Sequence, residues 1–152
     1  MGRILLGALL AVATGPLPAG WLVEPDRVVV DVEGIFADVR FNLENAIIGE
    51  GLVESGTSRV GEMLERTGRD LGTTSVYGEA VVVEFCSAPL TQALTDADPH
   101  DLVHCPYRIA VYTLRARPGT VYLAYPRPTA GGATPEREAI EALLRRVIEG
   151  AI

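Results

Sequence analysis

Val28, Val29, Val30 and Val32 form a β-branched run that ends at Gly34, a pattern that suits a well-buried strand. From there the period changes. Ile35, Phe36, Val39, Leu43, Ala46 and Ile47 recur at the spacing of one helix face, and Gly49 and Gly51 close the segment. Leu52 to Thr57 reads as a short second strand. A weaker helix follows on Val60, Met63, Leu64 and Leu71, with Ser58 available as N-cap and Glu62/Arg66 and Glu65/Arg69 as i,i+4 pairs. Gly61, Gly68 and Gly72 each weaken it by up to about 1 kcal/mol relative to alanine.

The clearest strand signal is Tyr77 to Phe85, where Val81, Val83 and Phe85 alternate with Ala80, Val82 and Glu84 and place Cys86 on the side of Val82. Ser87 and Pro89 open a short helix carrying Leu90, Ala93 and Leu94, which Asp98-Pro99 stops. Tyr107 to Leu114 and Thr120 to Tyr125 read as a hairpin, with Pro118-Gly119 at the centre of a type II turn. After a flexible Thr129-Ala130-Gly131-Gly132 link, Thr134 and Pro135 start a helix bearing Ile140, Leu143, Leu144, Val147 and Ile148, with Gly150 at its end. This order predicts an α+β domain: one largely antiparallel sheet with helices packed on one face.

Between the central strand and the hairpin, Phe85 leads through Cys86-Ser87 and Ala88-Pro89 into the short helix, and Cys105-Pro106-Tyr107-Arg108-Ile109 opens the next strand. On those motifs, and over roughly Val28 to Ile148, the chain resembles the domain-of-unknown-function 302 family. That resemblance implies the same two-layer α+β arrangement and self-association. It implies no reaction or ligand, because the family's own role is not established.

Composition narrows the function classes. The chain has 152 residues, 48% of them apolar, enough for one core of ordinary size. Its formal charge is −7, from 20 acids against 13 basic residues, all of them arginine. An acidic balance without a basic cluster argues against nucleic acid as partner. The absence of lysine excludes Schiff-base chemistry and a phosphate-loop lysine.

The first twenty residues differ from the rest. Arg3 precedes the apolar run Ile4 to Ala13, and Thr-Gly-Pro-Leu-Pro-Ala-Gly follows, so residues 1–20 read as a secretory signal. The run is too short for the roughly twenty residues of a spanning helix, and no membrane span is expected once the signal is removed. An uncleaved anchor and a buried N-terminal strand are the alternatives. The cleavage point is open between Ala13 and Ala19 or Gly20. Residues 21–26 then read as a linker, residues 27–150 as a single domain, and the location as bacterial periplasm or exterior.

Cys86 and Cys105 are the first chemical candidates. If their strands are antiparallel neighbours, both cysteines fall at the same end of the sheet, where an α-carbon distance of about 5.5 Å permits a bridge. Two unbonded buried thiols are the alternative. A redox-active pair lacks the Cys-x-x-Cys spacing. His100 and His104 stand four apart beside Cys105, a donor set suited to zinc or copper, although Asp98-Pro99 and Pro106 favour a turn that would separate the imidazoles.

The acids Asp96, Asp98 and Asp101 lack the remaining positions of a calcium loop. Ser87, His100 and Asp101 have the types of a hydrolase triad without its Gly-x-Ser-x-Gly elbow. Gly49-x-Gly51 lacks a third glycine and ends a helix, unlike a dinucleotide fingerprint. Tyr107, Tyr112, Tyr122 and Tyr125, with Arg108 and Arg127, cluster on the final hairpin, a composition enriched at interfaces and ligand clefts.

The sequence therefore supports a non-catalytic, exported module without cofactor that binds a small ligand or protein through its sheet surface and is stapled by Cys86 and Cys105. The candidate contact residues are Tyr107, Arg108, Tyr112, Tyr122 and Tyr125, with homodimerisation as one use of them. The alternative is a periplasmic metal-binding or thiol-redox protein built on Cys86, Cys105, His100 and His104.

Overall fold

The structure, a computed structural model, describes residues 20–152. The signal reading falls almost wholly on residues outside these. A six-stranded antiparallel sheet with strand order β1-β2-β6-β5-β4-β3 forms the body. Its strands are β1 (Trp21–Val23), β2 (Arg27–Glu33), β3 (Glu54–Ser58), β4 (Tyr77–Phe85), β5 (Tyr107–Leu114) and β6 (Arg117–Pro126). Among the described residues three helices connect strands, α1 (Phe36–Gly49), α2 (Val60–Leu71) and α3 (Ala88–Ala97), and α4 (Pro135–Glu149) follows the last strand, with short 3-10 turns at Pro99–His104 and Pro128–Gly131. The α+β expectation holds.

Strand parity builds the core. Val28 and Val30 of β2, Val81, Val83 and Phe85 of β4, Tyr107, Ile109 and Val111 of β5, and Val121, Leu123 and Tyr125 of β6 are all buried. Facing them are the apolar stripes of α1 (Phe36, Val39, Leu43, Ile47) and α4 (Ile140, Leu143, Leu144, Val147, Ile148), together with Leu94 of α3. Helix α4 forms where every local signal agrees: Thr134 Oγ1 accepts from Arg137 N–H at 3.3 Å, and proline fills the first turn.

Several local expectations are corrected. Part of the segment read as a linker, Trp21–Val23, is a strand paired with Val28–Val30, because Trp21 buries against the core and Arg145 lies over its ring at 4.7 Å. The hairpin turns at Arg115-Ala116, since Leu114 pairs with Arg117. Pro118 and Gly119 sit instead in a bulge of β6, where Gly119 takes its positive φ of 83° and its carbonyl accepts from Gly34 N–H.

The Thr129–Gly132 stretch is anchored rather than a free link. Thr129 donates to Glu141, and Arg127 Nε donates to the same carboxylate at 2.8 Å. Ser87 precedes α3 without a side-chain cap, and Arg59 rather than Ser58 precedes α2. Of the two ion pairs expected on α2, Glu65 and Arg69 approach to 3.9 Å, while Glu62 pairs with Arg59.

Glycine in α2 serves packing. A β-carbon on Gly61 would lie 2.8 Å from the backbone nitrogen of Ala80, so only glycine lets the first turn of α2 rest on β4.

Candidate functional site

Register determines what stands on the side of the sheet away from the core. Val29 pairs with Ala124, Ala124 with Ala110, and Ala110 with Val82, so four half-buried apolar residues cross β2, β6, β5 and β4 in one row. None belongs to the core. Two residues further along each strand in one direction stand Asp31, Tyr122, Tyr112 and Ala80; in the other stand Arg27, Pro126, Arg108 and Glu84.

The two alanines carry no bulk, so their row is a shallow trough. A hollow of about 350 Å³ opens there, lined by Val82, Ala110 and Ala124 with Arg27, Arg108 and Pro126 at its side. One wall is aromatic: Tyr112 and Tyr122 stack with centroids 5.2 Å apart and planes 13° from parallel, and Tyr77 meets Tyr112 edge-on at 5.5 Å. Burial, then the nearby phenols of Tyr77 and Tyr122, push the Tyr112 hydroxyl above its ordinary pKa, so the aromatic part of this wall is uncharged, and Asp31 stands at its end. The opposite wall carries Arg27 and Arg108, with Asp26 paired to Arg27 at 3.1 Å and Glu84 beside Arg108 on the next strand.

The four tyrosines of the hairpin are thereby divided. Tyr112 and Tyr122 reach the open face with Arg108, whereas Tyr107 and Tyr125 turn inward, at 3% and 1% exposure. Tyr107 shares a 2.8 Å hydrogen bond with Thr91 and packs edge-on against Phe85. The Tyr125 hydroxyl has no hydrogen-bond partner among the described residues, and burial, followed by the Glu141 charge, raises its pKa to about 12. Sequence grouping missed Ala110, Ala124, Arg27 and Asp31. The parity of β5 and β6 was the available signal, since it ties Tyr107 to Ile109 and Val111, and Tyr125 to Leu123 and Val121.

At one end of the sheet Cys86 and Cys105 form a disulfide, with α-carbons 6.3 Å apart. The last pair of the β4–β5 register is Phe85–Tyr107, next to Cys86 on β4 and two residues after Cys105 on β5, and the Cys105–Pro106 peptide is cis. The family model described as "Domain of unknown function DUF302" matches residues 28–151. The chain belongs to that family. A solved structure, "Crystal structure of uncharacterized conserved protein DUF302 from Bacillus stearothermophilus", superposes with a TM-score of 0.68 at 19% identity, covering 83% of this chain and 98% of that one. Among curated proteins none matches.

In this DUF302 chain the remaining candidates are dispersed. His100 is exposed, and His104 lies 3.9 Å from Asp101. Both sulfurs are bonded to each other, so neither offers a thiolate to a metal. Among the described residues no group of three or more His, Cys, Asp or Glu side chains is placed to hold a metal ion. Among the acids of the Asp96–Asp101 stretch, Asp101 is buried, at 6% exposure, and takes two hydrogen bonds from Arg137, at 2.8 and 2.5 Å. Those bonds hold its carboxyl below the ordinary range against the opposing effect of burial. Asp98 caps the turn by accepting from His100 N–H at 2.9 Å. No helix among the described residues is long and apolar enough to cross a membrane.

Proposed function

We propose that the chain is an exported, non-catalytic binding module whose working surface is the open sheet face, and that the occupant of that face is a second copy of the chain. The observation that carries this reading is the arrangement of the three rows. A two-fold axis along Val29-Ala124-Ala110-Val82 lays each strand over its own copy running the opposite way. Arg27 then faces Asp31 of the second copy, Arg108 faces Tyr112, and Pro126 faces Tyr122. An ion pair, a cation–π contact and an apolar contact each form twice around a centre of small side chains.

Sheets packed in this way take an angle near 30° because of their twist, which leaves the central row in contact. Hot-spot residue types, tyrosine and arginine, supply the flanks. Export is supported by the disulfide, a bond that persists in oxidising compartments, and by the charged, apolar and small-residue order of residues 1–20.

Sedimentation equilibrium on residues 21–152 tests the reading. The wild-type chain is expected to dimerise, and Ala124→Arg, which fills the trough, to remain folded and monomeric. A wild-type chain that stays monomeric at high micromolar concentration, or an Ala124→Arg variant that dimerises equally well, overturns it.

A further inference from the structure

Apart from the open face, a second concavity of about 330 Å³ lies between α1, α2 and the start of β4, within the range of small-molecule sites. Its floor is apolar, from Phe36 and Val81 at the margin of the core. Three arginines and three glutamates line it, and most are already committed to each other. Arg115 donates to Glu65 at 3.0 Å and to the Ser75 carbonyl at 3.0 Å, which pins the hairpin turn against α2. Arg59 and Glu62 form a solvent-exposed pair at 3.5 Å.

Two groups are left over. Arg40, one turn after Phe36 on α1, gives only its Nε to Glu44, at 2.9 Å; its two terminal nitrogens have no partner among the described residues. Holding a guanidinium by Nε fixes its plane and leaves the fork free for a carboxylate. Glu79 has no ion-pair partner among the described residues. It sits where the β4 register shifts between Tyr77 and Ala80, and its N–H donates to Thr113 Oγ1 at 3.0 Å, so the irregular backbone that presents it is tethered. Such bulges are a common means of re-aiming a side chain at a site.

We infer that this cleft binds a small zwitterion, an apolar α-amino acid, with its carboxylate on the Arg40 fork, its ammonium on Glu79 and its side chain over Phe36 and Val81. Arg40 is held only through its Nε and Glu79 is exposed without an ion-pair partner among the described residues, so a ligand carrying both charges is the one that meets both groups at once. The site is independent of self-association.

Binding is measured by calorimetry on residues 21–152 with the protein amino acids at millimolar concentration, and then with the deaminated acid and the decarboxylated amine of the tightest one. The expected result is binding of an apolar member such as leucine, weakened at least about tenfold in each truncated analogue, the loss expected when a charge-assisted hydrogen bond is removed. Arg40→Gln should remove the preference for the amino acid over its amine, and Glu79→Gln the preference over its acid, with unchanged thermal unfolding. Binding by no amino acid, or equal binding to both variants, overturns the inference.

Discussion

Ala110 and Ala124 are paired across β5 and β6 on the side of the sheet that the helices leave open, and between them they remove the bulk that would fill the middle of that face. Everything polar or aromatic on the surface is displaced to one row or the other, which gives the face its two unlike walls. An antiparallel sheet can leave one side to solvent, and its composition there is then free to serve recognition. Here that composition is apolar at the centre and oppositely charged at the ends.

The Cys86–Cys105 bridge closes a loop with a sequence separation of 19. In the chain-entropy model its reduction should cost about 3 kcal/mol. Thermal unfolding with and without reductant checks this; an unchanged midpoint, with thiol labelling proving reduction, would contradict it.

Tyr107 and Tyr125 are both buried, yet removing their hydroxyls should have opposite effects. Tyr107→Phe forfeits the bond with Thr91 and should destabilise by about 1 kcal/mol. Tyr125→Phe removes an unpartnered buried hydroxyl and should stabilise by about 1 kcal/mol. Denaturant midpoints of the two variants decide this, and a loss of stability in both would contradict it.

Asp101 carries the pH dependence of the Pro99–His104 turn and its junction with α4. Its folded pKa lies below the ordinary aspartate value of 3.8 through the Arg137 hydrogen bonds, so its stabilising effect is present above that pH and is lost as pH falls through the folded value. Asp101→Asn should therefore lower the unfolding midpoint at pH 7 by roughly 5 °C, and the gap from wild type should close below pH 3.8. A gap that is constant with pH would show that the pair contributes through packing alone.

Gly61→Ala should destabilise although alanine is the better helix former by about 1 kcal/mol. The added β-carbon would meet the Ala80 backbone at 2.8 Å, an overpacking cost of about 1 to 3 kcal/mol. An increase in the denaturant midpoint would remove the close approach of α2 to β4.

How far the sequence predicts this structure depends on whether one signal acts alone. In α4, cap, first-turn proline and apolar period all coincide, and in β4 the parity of Val81, Val83 and Phe85 is unbroken, so both elements are legible. Pro118-Gly119 carries a strong turn signal, but it records only that Gly119 needs a positive φ, which a bulge uses as readily as a turn. Thr129 looks like linker chemistry until Glu141, nearly two turns into α4, is seen to hold it together with Arg127.

The disulfide follows from adjacency of β4 and β5, which the hydrophobic alternation suggests. The Arg40–Glu79 cleft was out of reach, because it depends on a break in register that leaves no periodic trace. Similarly, the trough becomes visible only once four strands are aligned, since alanine by itself signals nothing.

The most direct measurement of the central claim is a charge swap at Arg27 and Asp31, which lie four residues apart on β2 and meet only across the proposed two-fold. Arg27→Asp alone and Asp31→Arg alone should each place like charges opposite one another and weaken the dimer by about tenfold, read by sedimentation equilibrium at low salt. Combining them should restore the dissociation constant of the wild-type chain. Single variants that dimerise unchanged, or a double variant weaker than either, would contradict self-association through the open sheet face.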